Sequence, residues 1–74
     1  MEEKAVESPI TGVVIEILVS HGEAVTEGDL LVVIDSMKME NEILSEHSGT
    51  VKELNVEVDQ QVSEGDTLLT LELP

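Results

Sequence analysis

Residues 12–34 read GVVIEILVSHGEAVTEGDLLVVI and residues 49–71 read GTVKELNVEVDQQVSEGDTLLTL; at an offset of 37 the two align without a gap. Nine of the 23 pairs are identical: Gly12/Gly49, Val14/Val51, Glu16/Glu53, Val19/Val56, Val25/Val62, Glu27/Glu64, Gly28/Gly65, Asp29/Asp66 and Leu31/Leu68. Chance matching in a composition this rich in Val and Glu supplies about two or three, so the chain carries two copies of one unit.

Each copy reads as an extended segment after a glycine, a Val-x-Glu-Gly-Asp corner, and a second extended segment. In the second copy Leu54, Val56 and Val58 alternate with Asn55 and Glu57, and Leu69, Leu71 and Leu73 alternate with Thr70 and Glu72. Period-2 alternation is the signal of a half-buried strand. Leu30–Ile34 is a continuous apolar run, as expected of a strand covered on both faces. The glycines at 12, 22, 28, 49 and 65 leave pieces too short and too β-branched for stable helices. Two similar β-units with no other apolar partner are expected to pack face to face about an approximate two-fold axis, each supplying half of one core. The link between the copies, Asp35 to Ser48, and the neighbourhood of the two termini then occupy equivalent places at opposite ends. Lys38 lies in that link.

Composition narrows the function classes. Seventy-four residues allow one domain, spanning 1–74, and a chain this short buries only about 60% of its unfolded surface, which leaves no room for an enclosed active site. There is no cysteine, hence no disulfide, thiol nucleophile or thiolate metal site, and the expected compartment is the cytosol. With no Phe, Tyr or Trp, the core must be Val, Leu and Ile. No apolar stretch approaches the roughly 20 residues that span a bilayer, and the Met1-Glu2-Glu3-Lys4 start lacks a signal peptide's basic end. A net charge of −14, with 17 acidic residues against Lys4, Lys38 and Lys52, repels nucleic acid and anionic membranes. Such a surface keeps a small protein soluble and also attracts basic partner surfaces.

Lys38 sits between Met37 and Met39, with Asp35 and Glu40 outside them. The plain reading is a surface lysine paired with nearby carboxylates, beside methionines that fill gaps in a core. Against it, Met37 and Met39 share strand parity, so an extended chain turns both to one face and Lys38 to the other. The Asn-Gly or Asp-Gly expected at a plain hairpin tip is absent.

The stretch Ser36-Met37-Lys38-Met39-Glu40-Asn41 resembles the Ala-Met-Lys-Met attachment motif of the biotinyl domain family, part of the biotinyl/lipoyl attachment group. The resemblance covers nearly the whole chain, through Ser8-Pro9-Ile10-Thr11-Gly12, Val25-Thr26-Glu27-Gly28-Asp29, Ser48-Gly49-Thr50-Val51 and Glu64-Gly65-Asp66. It implies an all-β fold, a flattened antiparallel barrel or sandwich of two four-stranded sheets, with an attachment hairpin around residues 35–42 and Lys38 exposed on its turn.

It also implies that biotin is joined covalently to Lys38 by a biotin protein ligase. The lysine amine would lose a proton and attack the activated biotinyl acyl-adenylate, giving a stable, uncharged amide. A biotin carboxylase would then carboxylate the biotin and a carboxyltransferase would pass the carboxyl group on, so the chain itself would be a non-catalytic carrier, monomeric in isolation. Tethering gives the cofactor a high effective concentration at each partner. Met37 and Met39 would be soft apolar contacts at those docking sites.

Three departures stand out. Ser36 replaces the commoner Ala, a small-for-small change. Asp59, aligned with Gly22, stands where the family usually has Gly; Asp is among the less costly residues at positive φ. Glu16–His21 runs on without the thumb insertion of many bacterial carrier subunits, so the chain resembles the thumbless kind, free-standing or part of a multidomain carboxylase.

Other signals are weak. His21 and His47 have no second His or Cys at ligand spacing. Glu2-Glu3 and Glu40/Glu42 have no pocket to separate their acidities, and no serine lies in a nucleophile-elbow context. Two other readings stay open on the residues alone. One is a lipoyl-type carrier, whose usual Asp-Lys-Ala pattern differs at the flanks of Lys38; the other is an unmodified scaffold module.

Overall fold

The structure is a computed structural model and describes residues 2–74. Its elements are β1 (Glu3–Glu7), β2 (Gly12–Ile17), β3 (Ala24–Val25), β4 (Leu30–Ser36), β5 (Met39–Leu44), β6 (Gly49–Leu54), β7 (Gln61–Val62) and β8 (Thr67–Glu72). They form two four-stranded sheets, β1-β8-β6-β3 and β5-β4-β2-β7, in which every pairing is antiparallel. The flattened two-sheet barrel implied by the resemblance is the observed fold.

The offset of 37 recurs in the hydrogen-bond register. Between β2 and β4 the partners are Val13↔Asp35, Val14↔Ile34, Glu16↔Val33 and Ile17↔Val32. Between β6 and β8 they are Thr50↔Glu72, Val51↔Leu71, Glu53↔Thr70 and Leu54↔Leu69, with a bulge at the same place in each ladder. The correspondence reaches the outer strands as well, where Val32↔Ile43 of β4–β5 matches Leu69↔Val6 of β8–β1. The β4–β5 hairpin is therefore the image of the pair formed by the chain's first and last strands.

The copies do not simply stack as two separate halves. The corner strand β3 leaves its own copy's sheet and pairs with β6, while β7 pairs with β2. The reason lies in the corner. Gly28 and Gly65 adopt φ of 95° and 93°, and the carboxylates of Asp29 and Asp66 accept hydrogen bonds from the backbone N–H of Thr26 and Ser63 at 2.8 Å. Glu-Gly-Asp thus builds a tight turn with the backbone freedom of glycine and an acceptor three residues ahead of its donor. The exchange gives β2 and β6 a neighbour on sides that would otherwise be open sheet edges.

The core is aliphatic and doubled. Val14/Val51, Leu31/Leu68, Val32/Leu69, Ile34/Leu71, Val25/Val62 and Val19/Val56 are all buried in one cluster. Each such side chain contributes about 1.5–3 kcal/mol relative to exposure, so truncating one fully buried leucine, Leu31→Ala, costs about 2–5 kcal/mol. The Leu30–Ile34 run is covered on both faces as expected, Val33 being buried yet outside the core cluster, between Glu16 and Glu42. Two buried polar residues, Ser8 and Ser45, are satisfied alike: each hydroxyl donates to a carbonyl two residues on, Ile10 or His47, at 2.5 Å. Asp59 takes φ of 76° where its image Gly22 takes 88°, so the substitution preserves the turn.

Candidate functional site

The register of β4 on β5 decides the geometry around Lys38. Val32 and Ile34 on β4 and Ile43 on β5 are fixed in the core, and Ile34↔Asn41, Asp35↔Glu40 and Ser36↔Met39 follow in order. Only Met37 and Lys38 remain to reverse the chain. Both have positive φ, 53° and 66°, the signature of a two-residue type I′ hairpin turn.

This corrects one step of the sequence reading. The chain is not extended through residues 37–39, so strand parity does not place the two methionines on one face. The site is a hairpin tip after all, built without Asn-Gly. Core packing sets the register over a distance that local turn preference cannot override. The strain is real: a non-glycine residue in the left-handed region costs about 1–2 kcal/mol, and two of the three such residues, Met37 and Lys38, are adjacent at this tip.

Everything at the tip faces solvent. Met37 is 93% exposed and Met39 69%, and Lys38 is exposed between them, so neither methionine fills a gap in the core. Lys38 also departs from the chain's other lysines. Lys4 pairs with Glu2 at 3.4 Å and Lys52 with Glu3, whereas Lys38 takes part in no ion pair among the described residues. Its amine is left unengaged on a protruding turn. Asn41 braces the turn from below, its side-chain amide donating to the carbonyls of Met39 at 3.2 Å and Ile34 at 3.4 Å. The sequence carries that brace only as the last residue of the motif around Lys38. Among the described residues no three His, Cys, Asp or Glu side chains gather as a metal site, and His21 and His47 belong to no such group.

In chemical terms the arrangement offers one exposed primary amine, with no carboxylate partner among the described residues, beside two thioether side chains. That fits covalent attachment of a group to be presented outward. Two surface grooves lie away from Lys38, one beside β1 and β5 and one beside β3 and the end of β8.

Comparison with known proteins agrees with this geometry. The biotin carboxyl carrier protein of Streptococcus mutans is 39% identical over 64 residues, which cover 86% of this chain and 49% of that protein. The mitochondrial propionyl-CoA carboxylase alpha chain of Homo sapiens is 43% identical over 65 residues, 88% of this chain and 9% of that one. A solved single-chain, multi-domain long-chain acyl-CoA carboxylase superposes with a TM-score of 0.92 at 28% identity over 97% of this chain and 7% of its own. The chain thus spans about half the length of the first of these relatives and under a tenth of the others. The family model described as "Biotin-requiring enzyme" matches residues 4–71, from the second residue of β1 to the fifth of β8. Since that match takes in every strand of both sheets, the chain belongs to the biotin-requiring enzyme family.

Proposed function

We propose that this chain is a biotin carboxyl carrier domain and that Lys38 is its attachment residue. The observation that carries the assignment is the Met37-Lys38 turn, where a lysine with no ion-pair partner among the described residues sits in the two-residue tip of a strained hairpin. Attachment forms one amide: the Lys38 amine loses a proton and attacks the acyl carbon of biotinyl-adenylate, and adenylate leaves. Bound biotin supplies a ring nitrogen that accepts and releases a carboxyl group.

The chain's own part is mechanical. The two-sheet core holds the hairpin register, Asn41 holds the turn, and the lysine stem adds reach. Met37 and Met39 offer soft apolar contact to the enzymes that receive the arm. Those partners are a biotin protein ligase, a biotin carboxylase and a carboxyltransferase, and carboxyl transfer is theirs; the domain supplies no catalytic group. A cysteine-free composition suits the cytosol.

Intact-mass analysis after co-expression with a biotin protein ligase tests the reading. The expected result is a biotin adduct that disappears in Lys38→Arg. A lipoyl adduct, an unmodified chain, or an adduct that survives the substitution would overturn it.

A further inference from the structure

The two halves share one backbone plan, so differences between their outer faces report what each face does. On the β5-β4-β2-β7 sheet, Val14, Val32, Ile34 and Ile43 point inward, and alternation turns Val13, Glu16, Val33, Asp35, Glu40 and Glu42 outward. Ile15, the extra residue of the β2 bulge, lies half-buried outside the core. The equivalent places on the other sheet hold Thr50, Glu53, Thr70, Glu72, Glu3, Ala5 and, for Ile15, Lys52.

The acidic frame therefore occurs twice, as Glu3, Glu72 and Glu53 near the termini and as Glu40, Asp35 and Glu16 beside the lysine hairpin. Near the termini one of its three charges is offset from within, because Lys52 bonds Glu3 across the face. Beside Lys38 the cation is replaced by isoleucine, a fourth carboxylate, Glu42, is added, and the threonines become Val13 and Val33. None of these carboxylates has an ion-pair partner among the described residues.

A second asymmetry runs the same way. The large apolar side chains exposed among the described residues are Val13, Leu18, Met37, Met39, Leu44 and Val58. Four of them, Val13, Met37, Met39 and Leu44, lie on the β5-β4-β2-β7 sheet or at its hairpin tip, while Leu18 and Val58 lie in the two loops that pass between the sheets. The opposite sheet exposes none of them.

We propose that the outer face of the β5-β4-β2-β7 sheet docks the enzyme that modifies Lys38, through an apolar patch of that enzyme bearing a lysine or arginine that takes the place Lys52 holds in the other half. Charge complementarity argues for the cation, and Val13 and Ile15 argue for the apolar contact. Because the face adjoins the hairpin, docking there carries Lys38 toward the partner's active site. The inference rests on the carrier reading only in supposing that an enzyme must receive Lys38.

The test titrates the isotope-labelled domain with purified biotin protein ligase and follows biotinylation kinetics in parallel. Amide shifts are expected at Val13, Ile15, Val33 and Asp35 and not at Thr50, Lys52, Thr70 and Glu72. Ile15→Lys, which installs the internal cation the other half already tolerates, is expected to raise KM about tenfold, the size of one well-placed contact, and to flatten its salt dependence. Lys52→Gln serves as the matched control and leaves KM unchanged. Shifts on the opposite face, an unaltered KM in Ile15→Lys, or an equal rise in the control would overturn the proposal. Binding at this face without modification of Lys38 would support the docking surface while sinking the biotin assignment; modification with an unaltered Ile15→Lys would do the reverse.

Discussion

Ser36 and Met39 pair across β4 and β5 with only Met37 and Lys38 between them, both in the left-handed region. Neither residue suits that conformation, so the turn is held by the register around it. Replacing the pair, Met37→Asn with Lys38→Gly, relieves two unfavourable conformations, partly offset by the added freedom of glycine in the unfolded chain. The net expectation is a gain of about 1 kcal/mol in urea unfolding, with acceptance of biotin abolished. A lower unfolding midpoint would show that the tip stores no strain.

Met37 and Met39 are solvent-facing, so truncating them tests function with little confounding from stability. Met37→Ala and Met39→Ala are each expected to move stability by less than about 0.5 kcal/mol. Biotin attachment should persist while carboxyl transfer through a partner carboxylase falls about tenfold in kcat/KM, the loss of one apolar anchor. Streptavidin blotting and carboxylation assays on the same preparations separate the two steps. Equal loss of attachment would assign the methionines to the ligase.

Gly12 lies against the base of the hairpin. A Cβ there overlaps the carbonyl oxygen of Asp35 and comes within 2.8 Å of Ile34 Cγ2, and its image Gly49 meets the Glu72 carbonyl at 2.6 Å. Gly12→Ala should therefore cost about 2–3 kcal/mol by overpacking. Gly65→Ala, which meets nothing within 4 Å and suffers only from its positive φ, should cost about 1 kcal/mol. Denaturant midpoints rank the two, and reversal of the order would refute the contact argument.

Much of this fold was legible before any coordinates. The offset of 37 and the aliphatic alternation at Leu69 and Leu71 are local, repetitive signals, and they survive as the two matched ladders, whereas the alternation over Leu54, Val56 and Val58 does not mark a strand: β6 ends at Leu54 and Val58 is exposed in a turn. The exchange of β3 and β7 between sheets was not legible, because Ala24–Val25 and Gln61–Val62 are too short to show any periodicity. The strand-parity argument at Met37-Lys38 failed for a related reason, although the resemblance implied a turn there: core residues such as Ile34 and Ile43 set it, and local turn preference points elsewhere. For the site, the repeat placed Lys38 in the link opposite the termini, while resemblance alone supplied biotin. The repeat aligns Ile15 with Lys52, but the pair carries no meaning in the sequence alone, because which carboxylates surround that position emerges only from the strand register.

Lys52 offers a check on the partly neutralised face. Its hydrogen bond to the Glu3 carboxylate, with the charges of Glu3, Glu72 and Glu53, raises its pKa above the ordinary 10.5, against a smaller opposing effect of desolvation. A cation whose pKa is higher folded than unfolded stabilises the fold fully below the unfolded value and loses that contribution as pH rises through the folded one. The stability difference between wild type and Lys52→Gln should accordingly be constant through neutral pH and shrink above about pH 10.5. Because the group is exposed, it should also shrink in about 1 M salt, where the screening length is about 3 Å. Denaturation of both proteins across pH and salt measures it. A difference that grows with pH, or one indifferent to salt, would mean that Lys52 acts through packing of its stem, and the electrostatic contrast between the two faces would lose its reference point.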